Sequence, residues 1–339
     1  MISVNERALD IVQRMIADAE ALGVAVTHLG NGATVVDAGV DVTGSLEAGR
    51  LFAEACLGGL GRVSFCELVF SEAAQVGRSA TRGCVSESAS HLPAGEDWLP
   101  GVVVTVSHPA VSCMAAQYAG WAVKSGGFFA MGSGPARALY AGEPLFERLG
   151  YRDRAEVAVL ALEGRELPPE EAAGKVAEKC GVSPGRLFLM IAPTASLVGS
   201  VQVAARVVET GLHKMLEVGF DIETVLSGFG TCPLASIAED DLRAIGRTND
   251  AVLYGGRAWY TVQTEDGQIE QAIDRLPSSA SRDYGTPFYD LFRRYNGDFY
   301  QIDPLLFSPA EVTINNAATG RTFHAGQVNG EMVRRVLLA

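Results

Sequence analysis

Apolar residues at Val4, Ala8, Ile11, Val12, Met15 and Leu22 recur at helical spacing behind Ser3 and Glu6, whose separation forms a capping box. They predict an amphipathic helix that Gly23 stops. Val24 to Val42 reads as two extended runs around Asn31-Gly32, a dipeptide suited to a hairpin turn. Helical spacing returns from Glu47 to Leu57, ahead of Gly58, Gly59 and Gly61. Strands are predicted at Val63 to Phe70 and Val102 to Val106, separated by a Ser-rich stretch from Gly83 to Asp97 that reads as an exposed loop. Ser112 to Lys124 again suits a helix, and Gly126-Gly127 marks a break between lobes.

Farther along, Val157 to Leu162 and Leu187 to Ile191 read as strands flanking a helix at Pro169 to Cys180, an alternation that favours an α/β sheet. A long helix is predicted at Ser196 to Val218, a strand at Val252 to Thr264, and two strands at Val312 to Asn316 and Arg321 to Ala325 joined through Thr319-Gly320. The expected class is α/β with some α+β character. Residues 1–125 would form an N-terminal α/β lobe and residues 126–339 a C-terminal lobe carrying the long helix, each free to be discontinuous. No repeat at a fixed period and no low-complexity segment occurs.

A chain of 339 residues fits about two domains, and 48% apolar with 20% charged residues excludes general disorder. The 27 basic residues face 40 acidic ones, so a net charge of −13 argues against a nucleic-acid partner. Lysine supplies only Lys124, Lys175, Lys179 and Lys214, the reverse of hyperthermophile composition, so a mesophile is expected. No apolar run reaches the ~18 residues of a membrane span, and the N-terminus lacks a basic region before an apolar stretch. A cytoplasmic protein with no membrane partner is expected. The six cysteines form no C-x-x-C pair and the five histidines no metal-ligand spacing, so neither a metal site nor a disulfide framework is expected.

Within the long helix, Val201, Ala205, Val208, Leu212 and Met215 fall on one side, while Gln202, Arg206, Glu209 and His213 stack opposite as a polar stripe. A solvated face with an Arg206–Glu209 ion pair explains that stripe; so does a site, since small residues at Pro193-Thr194-Ala195-Ser196 and Gly199-Ser200 permit close approach of a ligand. The run Gly132-Ser133-Gly134-Pro135-Ala136-Arg137 could cradle an anion with its backbone N–H groups and close it with Arg137, or form an ordinary turn. The segment Gly246-Arg247-Thr248-Asn249-Asp250 reads as a polar turn or a binding site before an apolar strand. His108 and Cys113 invite a nucleophile reading that only spatial proximity would support. Gly58-Gly59-Leu60-Gly61 has neither dinucleotide-fingerprint nor Walker spacing.

Taken together, the runs 132–137, 193–196, 200–210 and 246–250, with Tyr254-Gly255-Gly256, resemble the methenyltetrahydromethanopterin cyclohydrolase family. Residues 3–8, Gly58-Gly-Leu-Gly61, Gln117-Tyr-Ala-Gly-Trp121 and Asp303-Pro-Leu-Leu-Phe-Ser-Pro309 extend the resemblance over nearly the whole chain. It is weakest at 84–100 and 152–170. The resemblance implies reversible hydrolysis of the N5,N10-methenyl bridge of tetrahydromethanopterin to the N5-formyl form, without metal or prosthetic group. It further implies a homotrimer of two-lobed subunits with mixed sheets and the pterin in a cleft between lobes, and it carries the catalytic Arg and Glu over to Arg206 and Glu209.

The chemistry suits those residue types. The methenyl carbon belongs to an amidinium cation, and the attacking water must lose a proton as it bonds. A carboxylate can stabilise the cation by about 4 kcal/mol at about 4 Å in an effective dielectric of about 20, and it can also accept the proton. Arg206 would favour ionised Glu209 and fix its rotamer. For the pterin ring the expected partners are Gln202, Ser196 and Asn249, with Thr194, Ser133 and Gly134 beside them; for an anionic tail they are Arg137, Arg247 or Lys124. A non-catalytic pterin- or phosphate-binding module, or a structural oligomer whose glycines serve close packing, would carry the same stripe without turnover.

Overall fold

The computed structural model describes residues 2–71, 96–297 and 301–338. Cys84, His91 and the expected Ser-rich loop up to residue 95 lie outside the described residues. In chain order the strands are β1 (Ala25–His28), β2 (Thr34–Asp37), β3 (Gly61–Ser71), β4 (Glu96–Ser107), β5 (Trp121–Ser125), β6 (Phe128–Ser133), β7 (Ala158–Glu163), β8 (Leu187–Ala192), β9 (Val225–Pro233), β10 (Arg257–Val262), β11 (Glu311–Asn316) and β12 (Thr322–Gly326). The helices that frame the site are α1 (Val4–Ala17), α2 (Leu46–Cys56), α3 (Glu170–Cys180), α4 (Leu197–Ala204), α5 (Val207–Glu217) and α6 (Asp241–Gly255).

Two mixed six-stranded sheets result, ordered β1-β2-β8-β7-β6-β5 and β12-β11-β10-β9-β4-β3. In the first, β2, β8 and β7 run parallel, with α3 as the β7–β8 crossover. Their near-continuous apolar runs are what a strand covered on both faces requires. Val36, Val159 and Met190 pack with α1 and α2 on one side, and Val35, Leu160 and Leu189 with α3 on the other. In the second sheet Val63, Val104, Ala258 and Val312 occupy one register row and share a core with α5 residues Val207 and Val208. That row also contains Gly230, where a Cβ would meet both valine side chains, so the glycine lets α5 lie close on the sheet.

The expected α/β class and most strands match the observed elements. Ser112 to Lys124 is not one helix: a turn wound with π pitch spans Ala110–Gln117, and Trp121–Ser125 is a strand whose alternate residues are buried. Period-two burial of Trp121, Val123 and Ser125 outweighs the helical spacing there. Gly126 and Gly127 consequently form the turn of the β5–β6 hairpin inside one sheet. The first sheet draws on residues 25–192 and the second on 61–326, so the two sheets interleave along the chain rather than dividing at residue 125. The strand expected from Val252 begins only at Arg257, because Asp240 caps α6 and Ala244, Thr248, Ala251 and Val252 bury one helical face through Gly255.

Candidate active site

The helix expected from Ser196 to Val218 breaks into α4 and α5 at Ala205 and Arg206. Arg206 N–H reaches back to Val203 O, tightening the turn, and the break redirects the polar stripe inward. The stripe is no solvated face: Gln202, Arg206 and Glu209 are 3%, 9% and 5% exposed. At the start of α4, Ser196 caps the helix by accepting from Gly199 N–H at 2.9 Å, and its hydroxyl donates to Pro193 O at 2.7 Å. A Cβ at Gly199 would collide with the Pro193 and Thr194 carbonyls, so glycine there allows the 193–196 loop to fold against the helix.

Arg206 is held from three sides. Nη1 donates to Gln117 O at 2.7 Å, Nη2 to Ser133 Oγ at 3.1 Å and Nε to Gln202 Oε1 at 3.2 Å. Nη1 also stands 3.6 Å from Glu209 Oε2. Gln202 Nε2 donates to Glu163 Oε2 at 2.9 Å, and Thr194 Oγ1 donates to Glu163 Oε1. Thr194, Gln202, Arg206, Glu209 and Ser133 therefore belong to one network, drawn from the 193–196 loop, two helices and the end of β6.

Burial pushes the Glu209 carboxyl above its ordinary range, against the opposing pull of Arg206, His213 and Arg137. Tyr118, whose phenol burial also raises, stacks on His213 with ring centroids 5.0 Å apart. The result is a shielded carboxylate beside a fixed guanidinium, with a proton affinity moved toward neutrality. That is the requirement for a group that both accepts and returns a proton.

Other expected residues are engaged elsewhere. Arg137 is fully buried; it donates to Glu143 Oε1 at 2.8 Å and Oε2 at 2.5 Å, and to Met114 O at 2.9 Å and Ala116 O at 3.1 Å. Those bonds occupy both edges of its guanidinium, so the anion-gripping role expected of it is corrected to a structural clamp. Gly134, with φ +100°, donates its N–H to Ala116 O and so does not offer it to an anion. Arg247 and Asn249 lie on α6 rather than in a turn: Arg247 Nη1 donates to Ser236 Oγ at 3.0 Å and Asn249 Nδ2 to Ile245 O at 2.8 Å. Lys124 sits over the Phe129 ring and lines a separate cavity of about 520 Å³ with Trp121, Lys175 and Lys179. Cys113 is fully buried, and burial raises its thiol well above its usual range, an environment unlike that of a reactive cysteine.

The network also contains two residues beyond the expected site, Glu163 and Gln117. Glu163 ends β7, immediately after an apolar strand, and the carboxyl end of a parallel strand is where α/β sheets present ligand-binding groups. Gln117, at the end of the π turn, donates Nε2 to Ala205 O at the helix break at 3.1 Å, while its Oε1 is buried with no hydrogen-bond partner. Its signal lies in the run Gln117-Tyr-Ala-Gly-Trp121, where a lone amide side chain precedes small and aromatic residues.

A family model described as Cyclohydrolase (MCH) matches residues 3–76 and 71–337. Among curated relatives, the methenyltetrahydromethanopterin cyclohydrolase of Methanothermobacter marburgensis is 47% identical over 339 residues, covering 99% of both chains. The enzyme of that name from Methanocaldococcus jannaschii is 47% identical over 341 residues, covering 99% of this chain and 98% of the relative. The one from Methanospirillum hungatei is 44% identical over 334 residues, covering 98% of each. Similarity at this level over nearly the whole of each chain places the chain in the methenyltetrahydromethanopterin cyclohydrolase family.

Proposed function

We propose that this chain hydrolyses the N5,N10-methenyl bridge of tetrahydromethanopterin, or a close analogue, to the N5-formyl derivative, reversibly. The observation that carries the reading is Glu209, shielded from water, raised in proton affinity and 3.6 Å from Arg206. In the network the charges of Glu163 and ionised Glu209 exceed that of Arg206 by one, a balance that suits a cationic substrate.

Water attacks the methenyl carbon and gives one proton to Glu209. The resulting carbinolamine breaks its C–N10 bond as Glu209 returns that proton to N10, and the hydroxyl proton leaves to solvent as the formyl C=O forms. Cation and water thus yield the formyl product and one released proton. Arg206 acts from the side, ionising and orienting Glu209, while the unpartnered Gln117 Oε1 supplies a buried acceptor beside it for a water or substrate N–H. Thr194, Gln202 and Ser133 line the same polar network as candidate substrate contacts. Because the amidinium carbon is already electrophilic, the step needs no Lewis acid, and we assign no metal and no cofactor to it.

Loss of the methenyl chromophore on adding purified protein tests the reading, and absence of turnover at saturating substrate would overturn it. Activity unchanged by exhaustive chelation is expected; restoration of lost activity by zinc or magnesium would refute metal independence. No helix among the described residues is long and apolar enough to cross a membrane. We assign a cytoplasmic location, testable by fractionation, and a homotrimer. Exposed Trp98, Phe65 and Val69 on the paired strands β3 and β4, and the exposed cross-strand pair Phe229 and Trp259, support self-association. Sedimentation showing a monomer at micromolar concentration would refute the trimer.

A further inference from the structure

Glu163 lies outside the pair that handles the proton, yet the network runs through it. When ionised, its carboxylate only accepts. It takes Thr194 Oγ1–H on Oε1 and Gln202 Nε2–H on Oε2, the latter at 2.9 Å. Gln202 must therefore turn its NH2 toward Glu163, which leaves Oε1 for Arg206 Nε at 3.2 Å. The two ends of a glutamine amide have nearly the same shape. Without the carboxylate, Gln202 is free to present NH2 to Arg206, donor against donor, and the guanidinium must rotate away.

We propose that Glu163 is a positioning residue: by orienting the Gln202 amide it selects the Arg206 orientation that sets the positive charge beside Glu209. The proposal rests on the reading of Arg206 and Glu209 as the working pair. Arg206 Nη1 stands 3.6 Å from Glu209 Oε2, where a modest rotation changes the local field, and Arg206 is the largest influence opposing the rise that burial imposes on Glu209. A carboxylate that merely tied the Thr194 loop to β7 would leave the titration of Glu209 unaltered.

The test is the pH profile of kcat/KM for methenyl hydrolysis in Glu163→Gln and in Glu163→Asp, which keeps a carboxylate that only accepts when ionised. Glu163→Gln should lower kcat/KM about tenfold, within the usual coupling inside one hydrogen-bond network, and move the acid limb upward. Glu163→Asp should keep the limb nearer its wild-type position. A limb that stays at its wild-type position in Glu163→Gln, or that Glu163→Asp moves as far, overturns the proposal. Should Glu163→Gln fail to fold, Gln202→Leu cuts the relay at its centre and must move the limb the same way; an unmoved limb overturns it. Wild-type protein in the same assay separates the two readings, since its failure to turn over would refute the proposed function, whereas a working wild type with an unmoved limb refutes only the role of Glu163.

Discussion

Arg206 and Glu209 face each other across a break in a helix, Nη1 to Oε2 at 3.6 Å, with both side chains shielded from solvent. Their three-residue spacing would make an exposed pair worth a few tenths of a kcal/mol on an unbroken surface helix. Here the break turns them inward, where burial raises the carboxyl and the guanidinium restrains the rise.

Glu209→Gln should lower turnover by about 10² to 10⁴, the usual contribution of a positioned acid–base group. Its melting temperature should be no lower than wild type, because the amide removes a carboxyl whose charged form the fold disfavours, while Arg206 keeps its bonds to Gln117, Ser133 and Gln202. Near-normal turnover in the folded variant would refute the assignment.

As the proposed base, Glu209 must be ionised for hydration, so kcat/KM should fall with acid through a limb above the ordinary carboxylate range. Arg206→Ala removes the largest opposing influence and should lift the limb further while lowering kcat. An Arg206→Ala enzyme that changes KM alone, its profile unmoved, would make Arg206 a binding residue.

Arg137→Ala should act on stability before kinetics. It strands Glu143 and the Met114 and Ala116 carbonyls around a fully buried site, a loss of about 3 to 5 kcal/mol by analogy with broken buried ion pairs. Lysine cannot reproduce the forked bonding, so Arg137→Lys should rescue little. Urea unfolding checks both; wild-type stability with only a raised KM would restore the anion-binding role.

Asp250 provides a pH test away from the site. Burial raises its carboxyl from 3.8 to about 8, while it accepts Phe288 N–H at 2.9 Å. Between those values the folded protein holds a proton that the unfolded chain has released, so this group's stabilising contribution is complete at low pH and is lost as pH rises toward about 8. Asp250→Asn keeps the acceptor without the titration. It should flatten the decline of unfolding free energy with pH and exceed wild-type stability at the alkaline end; identical slopes would refute the shift.

Local pattern reached far along this chain. The Ser3 cap, the Asn31-Gly32 hairpin, the β7–α3–β8 unit and the Thr319-Gly320 turn are set by capping chemistry, turn stereochemistry and apolar period, all of which act within about ten residues. Spacing failed where packing reversed a local preference. Val252 lies in a helix despite its β-branched side chain because α6 buries that face, and Trp121–Ser125 lies in a strand because the first sheet takes its alternate residues.

The sequence by itself determined the α/β class, most of the elements and, through several motifs in one order, the family, and it singled out Arg206 and Glu209. Tertiary structure decided what those residues are. How Arg206 is held beside Glu209 depends on Gln117 and Ser133, 89 and 73 positions before it in the chain, and whether Arg137 is free depends on Glu143 and the 114–116 carbonyls. Desolvation and hydrogen-bond commitment belong to a three-dimensional neighbourhood, so side chains of one type, Arg206 and Arg137, diverge into a guanidinium held 3.6 Å from Glu209 and a structural clamp.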